Sequence, residues 1–133
     1  MLLYLHYLVV ITLVSMGVIH FSWALGGKFL LDAAIPTKDG TKLLNPGLFL
    51  TFLVGFILLG FAFVVWEIKS EDAVYLYLNW AIATLFGIRA IGDFNMVGFF
   101  KKIKHTKFAL YDTKYFSPLC LTLSLSLVVL IFT

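Results

Sequence analysis

Apolar residues fall along this chain in long unbroken blocks, not in the spaced stripes of a water-facing helix or the alternation of a half-buried strand. The first block, MLLYLHYLVVITLVSMGVIHFSWALGG, contains no Asp, Glu, Lys or Arg before Lys28. The second lies between Lys42 and Glu67, opens at Asn45-Pro46-Gly47 and closes at Trp66. The third runs from about Ala73 to Phe94 and alone carries charges, Arg89 and Asp93, near its end. The fourth follows Lys114, opens at Ser117-Pro118 and reaches Thr133 without another charge. Each approaches the roughly 20 residues that a bilayer core requires of a helix. Backbone groups in lipid must be satisfied within their own segment, so such blocks are read as helices. Pro46 and Pro118 then sit where a helix tolerates proline, in the first turn.

The pattern predicts an all-α fold, an antiparallel four-helix transmembrane bundle forming a single domain over residues 1–133. The first block lacks a basic n-region and a small-residue cleavage site, so it is expected to stay as a helix of the mature protein. Internal repeats and low-complexity tracts are absent from the sequence. Composition agrees: 62% of the residues are hydrophobic, 13% are charged, and the mean hydropathy is +1.02. A soluble domain of this size needs more charge to cover its surface.

Charge then orients the bundle. Lys28, Lys38 and Lys42 lie between helices one and two, and Lys101, Lys102, Lys104, Lys107 and Lys114 between helices three and four. The other side has only Lys69, among Glu67, Glu71 and Asp72. The positive-inside rule puts both lysine-bearing loops in the cytoplasm and both termini outside. A net charge of +3 is therefore expected to serve membrane lipid and not nucleic acid. The basic run with its interleaved Phe99, Phe100, Ile103 and Phe108 suits a segment lying on anionic headgroups, and equally serves as an orientation signal. The loop from Gly26 to Asn45 carries a Lys38-Asp39-Gly40-Thr41 turn signal and an apolar patch, Phe29 to Leu31, that either caps the bundle or lies on the surface.

Candidate chemistry gathers at the lysine-rich end. His20, Trp23 and Gly27 are spaced three and four apart and line one helix face, as do Arg89 and Asp93. Ionisable groups at such depth turn toward the bundle interior and toward one another. An Arg89–Asp93 pair that only satisfies itself is one reading. A binding site is the other, because helices two and four would start at this end, capped by Asn45 and Ser117, with positive dipole ends directed there. Arg89 adds a planar fork suited to phosphate or carboxylate. Trp23 also fits an interfacial anchor.

Three short motifs carry a resemblance. HFSWALGG at 20 to 27, RAIGD at 89 to 93 and TKFALYDTKYFSPLC at 106 to 120 resemble those of a bacterial family of small four-helix integral membrane proteins of unknown function. The resemblance spans nearly the whole chain and implies a multi-pass protein of the bacterial plasma membrane, without a reaction or substrate. It singles out His20, Trp23, Gly26, Gly27, Arg89, Gly92, Asp93, Asp112, Thr113, Ser117 and Pro118, all in the half expected to be cytoplasmic.

Sharper chemistries fit poorly. Haem needs two axial ligands at one depth, and only His20 with His105 comes near that condition. A zinc site needs a tighter cluster than the scattered His, Cys, Asp and Glu supply. The lone Cys120 excludes a dithiol mechanism and reads as packing. A channel would need polar residues through the full thickness, whereas Thr51, Thr122, Ser124 and Ser126 better serve close helix approach, as Ala83 and Gly87 do. No metal and no cofactor is expected. The leading expectation is a binding module for an anionic amphiphile, lipid or isoprenoid-like, held by His20, Trp23, Asn45, Arg89, Asp93, Asp112 and Ser117. The alternatives are a membrane enzyme with His20 as acid or base, oriented by Asp93 or Asp112, and an accessory or scaffold subunit whose polar cluster only locks the bundle.

Overall fold

A computed structural model describes residues 2–26, 37–38, 41–42, 48–92, 98, 100 and 110–133. Within them the apolar blocks become four helices: α1 (Leu2–Ala24), α2 (Leu48–Trp66), α3 (Ala73–Ile91) and α4 (Ser117–Phe132), the last continuous with a π-helical segment over Asp112–Phe116. All four are long and apolar enough to cross a membrane, at 23, 19, 19 and 21 residues when the π segment is counted with α4. Two-residue strands, β1 (Thr37–Lys38) and β2 (Thr41–Lys42), pair antiparallel with Thr37 opposite Lys42, on either side of the predicted Asp39-Gly40 turn. The expected Asn45 cap, Asp93, and the apolar patch at 29–31 lie outside the described residues.

Successive helices run antiparallel. Phe21 of α1 meets Phe52 and Phe56 near the start of α2, while His6 reaches Val65 at its end. Tyr75 and Asn79 of α3 meet Phe63 and Val64 of α2, and Ser124 of α4 donates to the Ala83 carbonyl of α3 at 2.7 Å. The closest packing is within the α1–α2 and α3–α4 pairs. Glycine makes the first possible: a Cβ on Gly17 would lie 3.2 Å from the Gly55 carbonyl, and one on Gly55 would lie 3.0 Å from the Phe21 ring. Small residues at a helix contact let backbones approach when lipid offers no hydrophobic drive for association.

The core is a narrow axial strip, with Leu13, Val65, Leu127 and Leu130 among its fully buried members. Most other apolar side chains face outward, including Phe49, Phe56, Ile88 and Leu125. A helix apolar on all sides, with only its inner stripe buried, has lipid on the rest. The hydroxyls of Thr12, Thr84 and Thr122 each donate to the carbonyl one turn back, at 2.7 to 2.9 Å, and so need no water.

The end of the bundle holding the N-termini of α1 and α3 is tied by side chains that reach orphan carbonyls at helix C-termini. His6 Nε2 donates to Val65 O at 2.9 Å, Asn79 Nδ2 to Val64 O at 3.2 Å, and Lys69 Nζ to Leu130 O at 3.2 Å. Asp72 caps α3 by accepting from the Val74 N–H. The His6 ring also stacks on Tyr7 and tilts against Trp66.

The fourth helix corrects one expectation. Ser117-Pro118 does not open it: helical structure begins before Asp112, and Ser117 lies inside a continuous helix. Pro118 has no N–H and its ring would strike the carbonyl four residues back in a regular α-helix. The chain answers with a wider turn, in which the Ser117 N–H donates to the Asp112 carbonyl five residues back.

Candidate functional site

At the other end of the bundle, α3 stops after Arg89. Gly92, at φ 88, ends it by donating its N–H to Ile88 O at 2.7 Å, a left-handed cap that glycine adopts without steric penalty. Arg89 thus lies in the last turn, where a cation complements the helix dipole. Its Nη2 donates to Asp112 Oδ1 at 2.8 Å.

Asp112 is the hub of this end. Its side chain is 0% exposed against 33% for Arg89. Besides Arg89, the Ser117 hydroxyl donates to Oδ1 at 3.1 Å and the Gly98 N–H to Oδ2 at 2.7 Å. The π turn brings the Ser117 hydroxyl and the Asp112 side chain together five residues apart. A buried carboxylate needs such compensation, since an unpaired charge there would cost several kcal/mol. Gly98 is held at φ +86 so close to Ile91 and Gly92 that a Cβ would strike their backbone. Asp112 thus ties Gly98 and Arg89 of α3 to the start of the fourth helix.

Among the described residues the carboxylate partner of Arg89 is Asp112, 23 residues away in sequence, and Asp93 lies outside them. One nitrogen of the guanidinium stays over. Arg89 Nη1 is buried and has no hydrogen-bond partner among the described residues.

His20 and Trp23 form a second group at the same end. Their ring centroids are 4.8 Å apart and tilted by 59°. His20 lies seven residues after Leu13, three after Gly17 and four before Ala24, on the stripe of α1 that is buried in the bundle. Its Nδ1 lies 2.8 Å from Met16 O. A backbone carbonyl orients the imidazole through Nδ1, and Asp93, one of the two carboxylates expected to do so, lies outside the described residues.

Sequence reasoning missed two members. Gly98 carries no signal beyond being glycine near a helix end. The π turn had one, in a proline six residues after an aspartate, but the run of charges up to Lys114 drew the helix start too late. Cys120 packs in the core with Leu123 and Leu127. Among the described residues no three His, Cys, Asp or Glu side chains gather as a metal centre would require.

Four apolar antiparallel helices, with an ion pair near one end of the bundle, define a small multi-pass membrane protein. The chain belongs to the family described as "Protein of unknown function (DUF3995)", whose model matches residues 13–127 and so takes in His20, Arg89, Asp112 and Ser117. No curated protein and no solved structure matches it.

Proposed function

We propose that the protein is a membrane-embedded binding module for an anionic amphiphile, a lipid or isoprenoid-like molecule. Its headgroup lies at the Arg89 end, which the lysine asymmetry assigns to the cytoplasm of a bacterial plasma membrane. The observation that carries this reading is Arg89 Nη1, buried and without a hydrogen-bond partner among the described residues. A buried N–H without an acceptor costs about 1–3 kcal/mol, more on a charged group, and a headgroup oxygen would relieve that cost. Asp112 holds the guanidinium through Nη2 and leaves Nη1 for another acceptor. Trp23 supplies a ring that suits the interface, and the lysines that follow α3 in the sequence add positive charge. Asn45 and Asp93 belong to the proposed site by sequence position alone. Ser117 serves it through Asp112.

A second reading, a membrane enzyme with His20 as acid or base, draws on the orientation of that ring by Met16 O. A third, a scaffold, uses the ion pair only to lock the helices. Native mass spectrometry of the protein after gentle extraction separates them. A retained lipid-like mass supports the binding module, turnover of an added lipid the enzyme, and neither the scaffold.

A further inference from the structure

We infer that an outward-facing groove between α3 and α4 seats one hydrocarbon chain, drawn from the leaflet at the Arg89 end of the bundle. The inference goes beyond the amphiphile reading and does not depend on it, because Arg89 does not line the groove. Small residues form the floor. Ala83 and Gly87 of α3 meet Ser124 of α4, whose hydroxyl donates to Ala83 O at 2.7 Å and would lie 3.3 Å from a Cβ on Gly87. Close approach at these positions leaves a trough between larger neighbours. Ile88 and Ile91 flank it from α3 and Val128 from α4. Trp80 marks its far end on α3, with its ring packed edge-on to Phe132 at a centroid distance of 5.6 Å.

Polarity and size together choose the occupant. No lining residue is charged, and both hydroxyls are already spent on backbone carbonyls, Thr84 on Trp80 and Ser124 on Ala83. Such a surface suits hydrocarbon and not a charged group. The groove offers about 280 Å³. From Trp80 to Ile91 it runs about 16 Å, at 1.5 Å per residue. That is close to half of the roughly 30 Å hydrocarbon core, the depth of one leaflet. Ile91 closes α3 at the Arg89 end, which identifies the leaflet. A single chain about 4 Å across, the spacing of carbon atoms in contact, fills roughly 200 Å³ over that length. A helix about 10 Å across needs roughly 1,300 Å³ over the same length. The groove therefore matches one lipid chain and is several times too small for a helix of a second copy.

The test uses the full chain with Trp23→Phe and Trp66→Phe, which leaves Trp80 as the one tryptophan. It is reconstituted with phosphatidylcholine brominated toward the methyl end of its chains, whose bromines quench indole fluorescence on contact, and then extracted into detergent to strip loosely held lipid. Phosphatidylcholine carries no net charge, so the result reads the groove and not the anionic-headgroup site. Trp80 should remain quenched relative to the same protein extracted from unbrominated lipid. Thr84→Phe fills the groove from an exposed position and should abolish that residual quenching. Leu85→Phe, exposed on the next residue but outside the lining, should leave it unchanged. The measurement on the single-tryptophan chain needs neither further variant, so a folding defect in one of them leaves the test standing. Loss of all quenching from that chain on extraction overturns the inference, and so does equal residual quenching in all three proteins. A chain that emerges as a dimer with Trp80 unquenched overturns it in favour of a second copy.

Discussion

Arg89 and Asp112, 23 residues apart, meet with Nη2 2.8 Å from Oδ1, and the carboxylate in that pair is wholly buried while the guanidinium is not. The asymmetry decides how each partner responds to replacement. Asp112 also accepts from the Gly98 N–H and the Ser117 hydroxyl, so its loss takes an acceptor from three donors among the described residues. Loss of Arg89 leaves a carboxylate that still accepts from the Gly98 N–H and the Ser117 hydroxyl.

Asp112→Ala should therefore be among the most damaging single changes, at about 3–5 kcal/mol, the range for breaking a buried charge pair from one side. Ser117→Ala removes one neutral donor to Asp112 and should cost about 1 kcal/mol. Reversible unfolding in mixed micelles, followed by helical circular dichroism, measures both. Equal and small effects would mean that the hub does not hold the end of the bundle together.

Gly98→Ala should destabilise by more than the 1–2 kcal/mol of left-handed strain alone, because its Cβ would meet the backbone of Ile91 and Gly92. Gly26→Ala shares the positive φ, at +97, but has open space around it, and should cost only the strain. The same unfolding assay compares them. A Gly98→Ala protein as stable as Gly26→Ala would remove the close approach from the account.

The helix contacts make a parallel comparison. Gly55→Ala crowds the Phe21 ring, whereas a Cβ on Gly60 meets nothing within 4 Å. The first should cost about 1–3 kcal/mol, as overpacking does, and the second should be neutral or stabilising by up to about 1 kcal/mol through helix propensity. If both prove neutral, α1 and α2 do not pack through glycine.

These contrasts show what the sequence could and could not reveal. The four helices were legible because lipid imposes one requirement, about 20 apolar residues per crossing, and charged residues cannot be hidden inside such blocks without a partner. Arg89 was legible for the same reason, and its need for a carboxylate followed. That Asp112 supplies one was not, since this contact depends on how α3 and α4 dock. The start of α4 was misread because proline at N1 and proline after a π turn look alike in sequence. Gly98 was invisible, its N–H being fixed by tertiary geometry alone.

Orientation yields a further prediction. Thr133→Cys, with Cys120 replaced by Ala, should react with a membrane-impermeant thiol reagent applied to the outside of intact cells, and Lys102→Cys should react only after permeabilisation. The reverse pattern would invert the bundle and place the Arg89 end outside.

The central claim is that the spare N–H of Arg89 grips a headgroup. Replacing Arg89 alone confounds binding with the exposure of a buried charge, so the decisive protein is Arg89→Met with Asp112→Asn, which removes both charges and keeps an acceptor for the Gly98 N–H. Native mass spectrometry of this variant and its parent, extracted identically and checked for equal helicity, reads the answer. The account predicts a lipid-like mass retained on the parent and lost from the variant, an affinity change of about one to two orders of magnitude. A folded variant that retains the same mass at the same occupancy would contradict it.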